Sequence, residues 1–144
     1  MSADGDPPVT SRTGAGQVAA IVYVIAATGA AGFQVALAAG APWGAFAMGG
    51  AFPGRFPPGA RVAALLQGAL IALTAAVVLS RAGVAWPSWF RAARRLIWIV
   101  VGIAAVSTVL NLITPSAGER ALWAPVAVLM LCSSLVVALG GRAR

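Results

Sequence analysis

The chain has no histidine and no lysine, a single cysteine (Cys132), and three acidic residues, Asp4, Asp6 and Glu119, in 144 residues. Structural zinc takes about four nitrogen or sulfur ligands and catalytic zinc about three, which one thiol without an imidazole does not supply. Haem loses its usual histidine ligand. An intrachain disulfide needs a second cysteine, and a Ser-His-Asp triad needs a histidine. Paired-carboxylate hydrolysis has no pair to use, because Asp4 and Asp6 stand in a polar N-terminal stretch far from Glu119. Composition therefore predicts a protein that is not an enzyme and carries no cofactor or metal.

Charge as a whole is scarce, at 9% of residues, against about 25% in soluble domains. In its place the chain is 60% hydrophobic, with a mean hydropathy of +0.92. These values exclude an ordinary soluble domain and an intrinsically disordered chain. The net charge of +7 comes from arginine alone. A basic soluble domain would point to nucleic acid. Here the arginines flank apolar runs, so the positive-inside rule and anionic lipid headgroups explain them better, and no nucleic-acid partner is expected.

Four apolar runs follow one another, at about 17–40, 60–79, 96–113 and 121–139. Each approaches the roughly 20 residues a helix needs to cross about 30 Å of hydrocarbon. Barrel strands would be about 10 residues long with alternating polarity, and no such pattern occurs. The first run is longer than a signal-peptide core of about 7–15 residues, although Ala36-Leu37-Ala38 mimics a cleavage site. Residues 1–16, with three glycines and two prolines, are expected to be a disordered cytoplasmic tail. The expected fold is all-α: one domain over 17–141, a four-helix transmembrane bundle with a Gly/Pro-rich extracytoplasmic loop between helices 1 and 2.

Arginine counts set the expected orientation. Arg12, Arg81, Arg91, Arg94, Arg95, Arg142 and Arg144 fall on the side of the termini; Arg55, Arg61 and Arg120 fall on the other. Seven against three predicts both termini in the cytoplasm of a bacterial inner membrane. In the second loop, Trp86, Trp89 and Phe90 suit headgroup depth. Arg91, Arg94 and Arg95 recur at helical spacing and can snorkel to lipid phosphates, with Ser88 as a candidate helix N-cap.

The first loop, 41–59, is Gly/Pro-rich yet apolar, with Trp43, Phe46, Met48, Phe52 and Phe56 as its large side chains. Pro42, Pro53, Pro57 and Pro58 forbid a continuous helix. Such backbone lies on the membrane surface or is buried in protein, as a structural cap or as a lid over a pocket. Ahead of the fourth run, Ser116 and Glu119 form an S-x-x-E capping box; alternatively Thr114 is the N-cap, with Pro115 at the first helical position. Either way Glu119 suits the helix dipole. Pro125 inside the fourth run removes one helical hydrogen bond and predicts a kink.

No ionisable group lies deep in a run. The amides are the strongest polar candidates. Gln34 stands about 9 Å below the end of the first run at 1.5 Å per residue, Gln67 at similar depth, and Asn111 near the end of the third. They could meet in one outer-leaflet cluster, with Arg55, Arg61 and Glu119 above it. Such amides glue helices together at about 0.6 kcal/mol each, or they line a polar pocket in which Trp43, Arg61 and Glu119 join Gln34, Gln67 and Asn111. Glu119 would then pair with Arg61 or Arg55. In a transporter it would be the titratable group, and E119Q would abolish pH dependence. Small residues such as Gly29, Gly32, Ala64, Gly68 and Gly102 permit close helix approach, within the chain or between copies. Ser133 and Ser134 beside Cys132 are packing residues.

Trp43-Gly44, Gly49-Gly50, Pro57 and Arg61, together with Asn111, Thr114, Ser116, Glu119, Arg120 and Trp123, resemble the pattern of small four-span bacterial integral membrane proteins of no assigned activity. The resemblance implies that the two outer loops form one feature. Small multidrug transporters differ in needing a carboxylate within helix 1, vitamin K epoxide reductase-like proteins in needing Cys-x-x-Cys, and rhomboid proteases in needing histidine. Three readings follow: a non-enzymatic structural or accessory subunit packing against itself or a larger membrane complex; a small oligomeric transporter or channel; and a lipid- or small-ligand-binding protein using the outer amides.

Overall fold

The computed structural model describes residues 10–140, the side chains of 10–13 excepted. Four helices account for most of them: α1 (Thr10–Ala39), α2 (Pro58–Arg81), α3 (Phe90–Ile113) and α4 (Ala117–Leu139). Short 3-10 turns occupy Gly44–Phe46, Met48–Gly50 and Pro87–Trp89, and no strand occurs among the described residues. All four helices are long and apolar enough to cross a membrane, and α2, at 24 residues, rises about 36 Å. This is a four-helix bundle of the expected class. Neighbours pack in a ring, α1 on α2, α2 on α3, α3 on α4 and α4 back on α1. One end of the bundle, the termini end, also carries the α2–α3 connection. The loop end carries residues 40–57 and the α3–α4 turn.

The helices exceed the apolar runs because a helix does not stop where hydrocarbon stops. α1 begins at Thr10, inside the stretch expected to be a tail; residues 1–9 lie outside the described ones. α3 begins at Phe90, which places Arg91, Arg94 and Arg95 on helical backbone. Ser88 does not cap it. Ser88 lies inside the turn Pro87–Trp89, which runs directly into α3 with no side-chain cap. Pro58 opens α2 at its first position, where its missing N–H costs nothing. Ser116 is the N-cap of α4, its Oγ accepting from Glu119 N–H at 3.2 Å, and Pro125 lies within the helix.

The core divides by side-chain size. Towards the termini end, Tyr23, Val77, Val78, Ile97, Val100 and Val137 bury together. Tyr23 Oη donates to Thr74 Oγ1 at 3.0 Å, and Thr74 passes its own hydrogen to Ile71 O at 2.7 Å. A second cluster at the loop end joins Leu37 and Phe56 to Ala47, Ala60 and Ala64. Between them the buried apolar positions are small: Ala30, Gly68, Ala104 and Ala127. A Cβ on Gly68 would stand 3.4 Å from Gln34 Cβ, so glycine there sets the close approach of α1 and α2.

At most 33% of any span is buried within the monomer. The remainder is apolar surface, including Ile25, Leu66, Leu73, Ile99, Leu110 and Ile113, and it has to meet lipid or another protein.

Candidate functional site

The polar residues gather at the loop end, where they fasten the 40–57 connection to the start of α4. Glu119 Oε2 accepts from Gly49 N–H at 2.7 Å and from Thr114 Oγ1 at 2.9 Å. Ser116 Oγ donates to Ala45 O at 2.8 Å. Trp123 Nε1 donates to Phe46 O at 3.0 Å. The Phe46 ring lies against Gly118, where a Cβ would come within 2.8 Å of Cε1. Within the connection, Gly44 N–H donates to Gly54 O at 2.9 Å. Irregular backbone near a membrane needs such partners for its N–H and C=O groups.

Two arginines bond carbonyls at helix C-termini, where unpaired carbonyls favour a cation, and a third lies over such an end. α1 closes through Gly40 at φ 103°, with Gly40 N–H on Leu37 O and Ala41 N–H on Ala36 O. The Arg61 guanidinium lies over Gly40, and its Nε donates to Phe56 O at 2.9 Å. Arg120 Nη1 donates to Thr114 O at 2.7 Å, just past the end of α3. At the other end of the bundle, Arg81 reaches Ala138 O on α4.

The expected amide cluster does not assemble. Gln34 is buried against α2, whereas Gln67 is exposed on the outer face of its helix. Asn111 Nδ2 turns back to Ser107 O at 2.8 Å and Ser107 Oγ at 3.3 Å on its own helix. The expected pairing of Glu119 with Arg61 or Arg55 does not form either: no ion pair occurs among the described residues, and Glu119 and Arg61 each serve backbone groups instead. The physical reason is shared. Depth along a helix is legible from residue spacing, but rotation about its axis is not when the helix is apolar all round.

Trp43 does reach a concavity. Between α1 and α4 a groove of about 570 Å³ opens sideways, lined by Ile25, Ala26, Gly29, Ala30, Gly32, Phe33, Ala36, Trp43, Leu122, Trp123 and Val126. Phe33 stacks on Trp43 with centroids 6.0 Å apart and meets Trp123 edge-on at 4.8 Å, forming an aromatic roof at the loop end. The floor is glycine and alanine. Sequence reading missed the staple made by Trp123, although Glu119 and Trp123 are i and i+4, the spacing that puts two side chains on one face. No metal-sized cluster of His, Cys, Asp and Glu occurs among the described residues. No protein-family model matches the chain. No curated protein and no solved structure matches it either.

Proposed function

We propose that the chain is a non-enzymatic, multi-pass inner-membrane protein that acts as a structural or accessory subunit, packing through α1 and α4 against a second copy or a larger membrane complex. The observation that carries this reading is the contrast between the two surfaces. Polar groups at the loop end serve helix ends and loop backbone, while the lateral groove presents a small-residue floor beneath aromatic side chains. Membrane helices associate by close packing over such floors rather than by hydrophobic burial. The amides on which a ligand pocket would depend face different ways, which favours the packing reading over a binding or transport role.

Gly29 and Gly32 give a clean test. No atom lies within 4 Å of a Cβ built on either, so a larger side chain fits the monomer, and leaving glycine raises helix propensity by about 1 kcal/mol. G29L/G32L is expected to keep or raise thermal stability while dissociating the assembly seen by native mass spectrometry after mild-detergent extraction. A wild-type protein that is monomeric and without partners, or a variant whose assembly is unchanged, would sink the proposal.

The arginine asymmetry supports termini on the cytoplasmic side. A C-terminal fusion to a reporter that is active only when exported is expected to be silent, and the same reporter inserted after Arg55 to be active. The reverse pattern would invert the orientation.

A further inference from the structure

At the termini end one arginine covers an aromatic ring and a second acts on the first electrostatically. Arg81 is the last residue of α2. Its guanidinium carbon stands 5.7 Å from the centre of the Phe90 ring. One Nη reaches Ala138 O at 3.5 Å, a contact long enough to leave most of the donor fork unspent. Phe90 and Arg94 are i and i+4 on α3, the spacing that stacks side chains on one helical face. Arg94 therefore shares the face of α3 from which Phe90 meets Arg81, and its charge opposes that of Arg81. Like charges brought together cost stability unless an anion joins them. Glu119 is the sole acid among the described residues, and it is bound at the opposite end of the bundle.

The adjoining connection indicates which anion fits. Trp86 and Trp89 are half exposed, with ring centroids 6.3 Å apart. Trp86 holds φ 46° and ψ 63°, a left-handed conformation that non-glycine residues seldom adopt. Its carbonyl is fixed by Ser80 Oγ–H at 3.1 Å. The fold thus holds an indole pair outward beside the arginines, and indoles settle at headgroup level. Guanidinium forks match phosphate oxygens in pairs. Arg91 and Arg95 are exposed on the same stretch of α3, but they stand one and five positions from Phe90 rather than at the three- or four-residue spacing that shares its face.

We propose that Arg81 and Arg94 form a site for the phosphate of one anionic phospholipid at the membrane surface of the termini end, with Trp86 and Trp89 beside it. This narrows the sequence expectation, which spread headgroup contact over Arg91, Arg94 and Arg95. The full-length protein is equilibrated with vesicles of equal phosphatidylglycerol and phosphatidylcholine, extracted gently, and its retained lipids counted by native mass spectrometry. One phosphatidylglycerol is expected to be retained in preference to phosphatidylcholine. R94Q, at an exposed position, should lower that preference about fivefold, and R91Q/R95Q should leave it within about twofold. R81Q should match R94Q, and if R81Q does not fold, R94Q alone decides. Equal losses in R94Q and R91Q/R95Q would make the contact a diffuse basic belt. Displacement by millimolar inorganic phosphate would make it a soluble-anion site. A preference that emerges only after residues 1–9 are removed would assign the pair to the chain's own Asp4 and Asp6. Each of these three results, or no preference in the wild type, overturns the proposal.

Discussion

Replacing Glu119 with alanine is expected to detach the 40–57 connection from the bundle and to lower stability by about 3 kcal/mol. Both hydrogen bonds converge on one oxygen, Oε2, from Gly49 N–H and Thr114 Oγ1. Alanine leaves both donors without their acceptor, at about 1–3 kcal/mol each where they are shielded from water. It also removes the negative charge from the first turn of α4, worth about 0.5 kcal/mol against the helix dipole. Glutamine retains one carbonyl oxygen at the same place, so E119Q should lose only about 1 kcal/mol, the difference between a charge-assisted and a neutral bond. Thermal unfolding in detergent measures both variants, and limited proteolysis within 40–57 reports detachment. If E119A unfolds with the wild type and its loop resists protease equally, the clamp contributes nothing.

How much of this was legible in the sequence depends on which property each residue expressed. The four spans follow from hydrocarbon thickness, a one-dimensional constraint that runs of apolar residues answer directly. Ser116 as N-cap was readable as one of two local candidates, because a capping box is local; the other, Thr114, is instead the residue that ends α3. The second half of that box was not: the Glu119 carboxylate leaves its own helix for Gly49, seventy positions earlier in the chain, and no local spacing encodes that. Gln34 and Gln67 share a depth but face different directions. A helix that is apolar all round gives no stripe from which to read its rotation. The arginines were legible as a charge count and illegible as caps. Arg61, Arg81 and Arg120 each find a carbonyl of the chain, and the choice of carbonyl depends on which helix ends meet. The 40–57 connection and the α3–α4 turn do form one feature, and the agents are Ser116, Gly118 and Trp123 as much as Glu119.

Gly44 shows how far that cap depends on space rather than on conformation. Its φ is not positive, unlike those of Gly40, Gly49, Gly50 and Gly54, so alanine can adopt the backbone. There is nowhere to put the methyl group. A Cβ would fall 1.8 Å from Phe52 O and 2.8 Å from Gly54 O. Both are backbone atoms and cannot swing aside as a side chain can. G44A must therefore push the two arms of the connection apart, breaking Gly44 N–H to Gly54 O and lifting Phe56, which is only 2% exposed, from Leu37 and Ala64. Overpacking at a rigid site costs about 3 kcal/mol or more, to which a lost hydrogen bond adds about 1 kcal/mol. Gly54 is the internal control. It has φ +93° and no atom within 4 Å of a Cβ, so G54A should cost only the left-handed penalty of about 1–2 kcal/mol. The expected order is a much lower unfolding temperature and rapid cleavage within 40–57 for G44A, with G54A between it and the wild type. If G54A is the more damaging, conformation rather than crowding governs the cap, and the tight crossing at Gly44 is not what holds it closed.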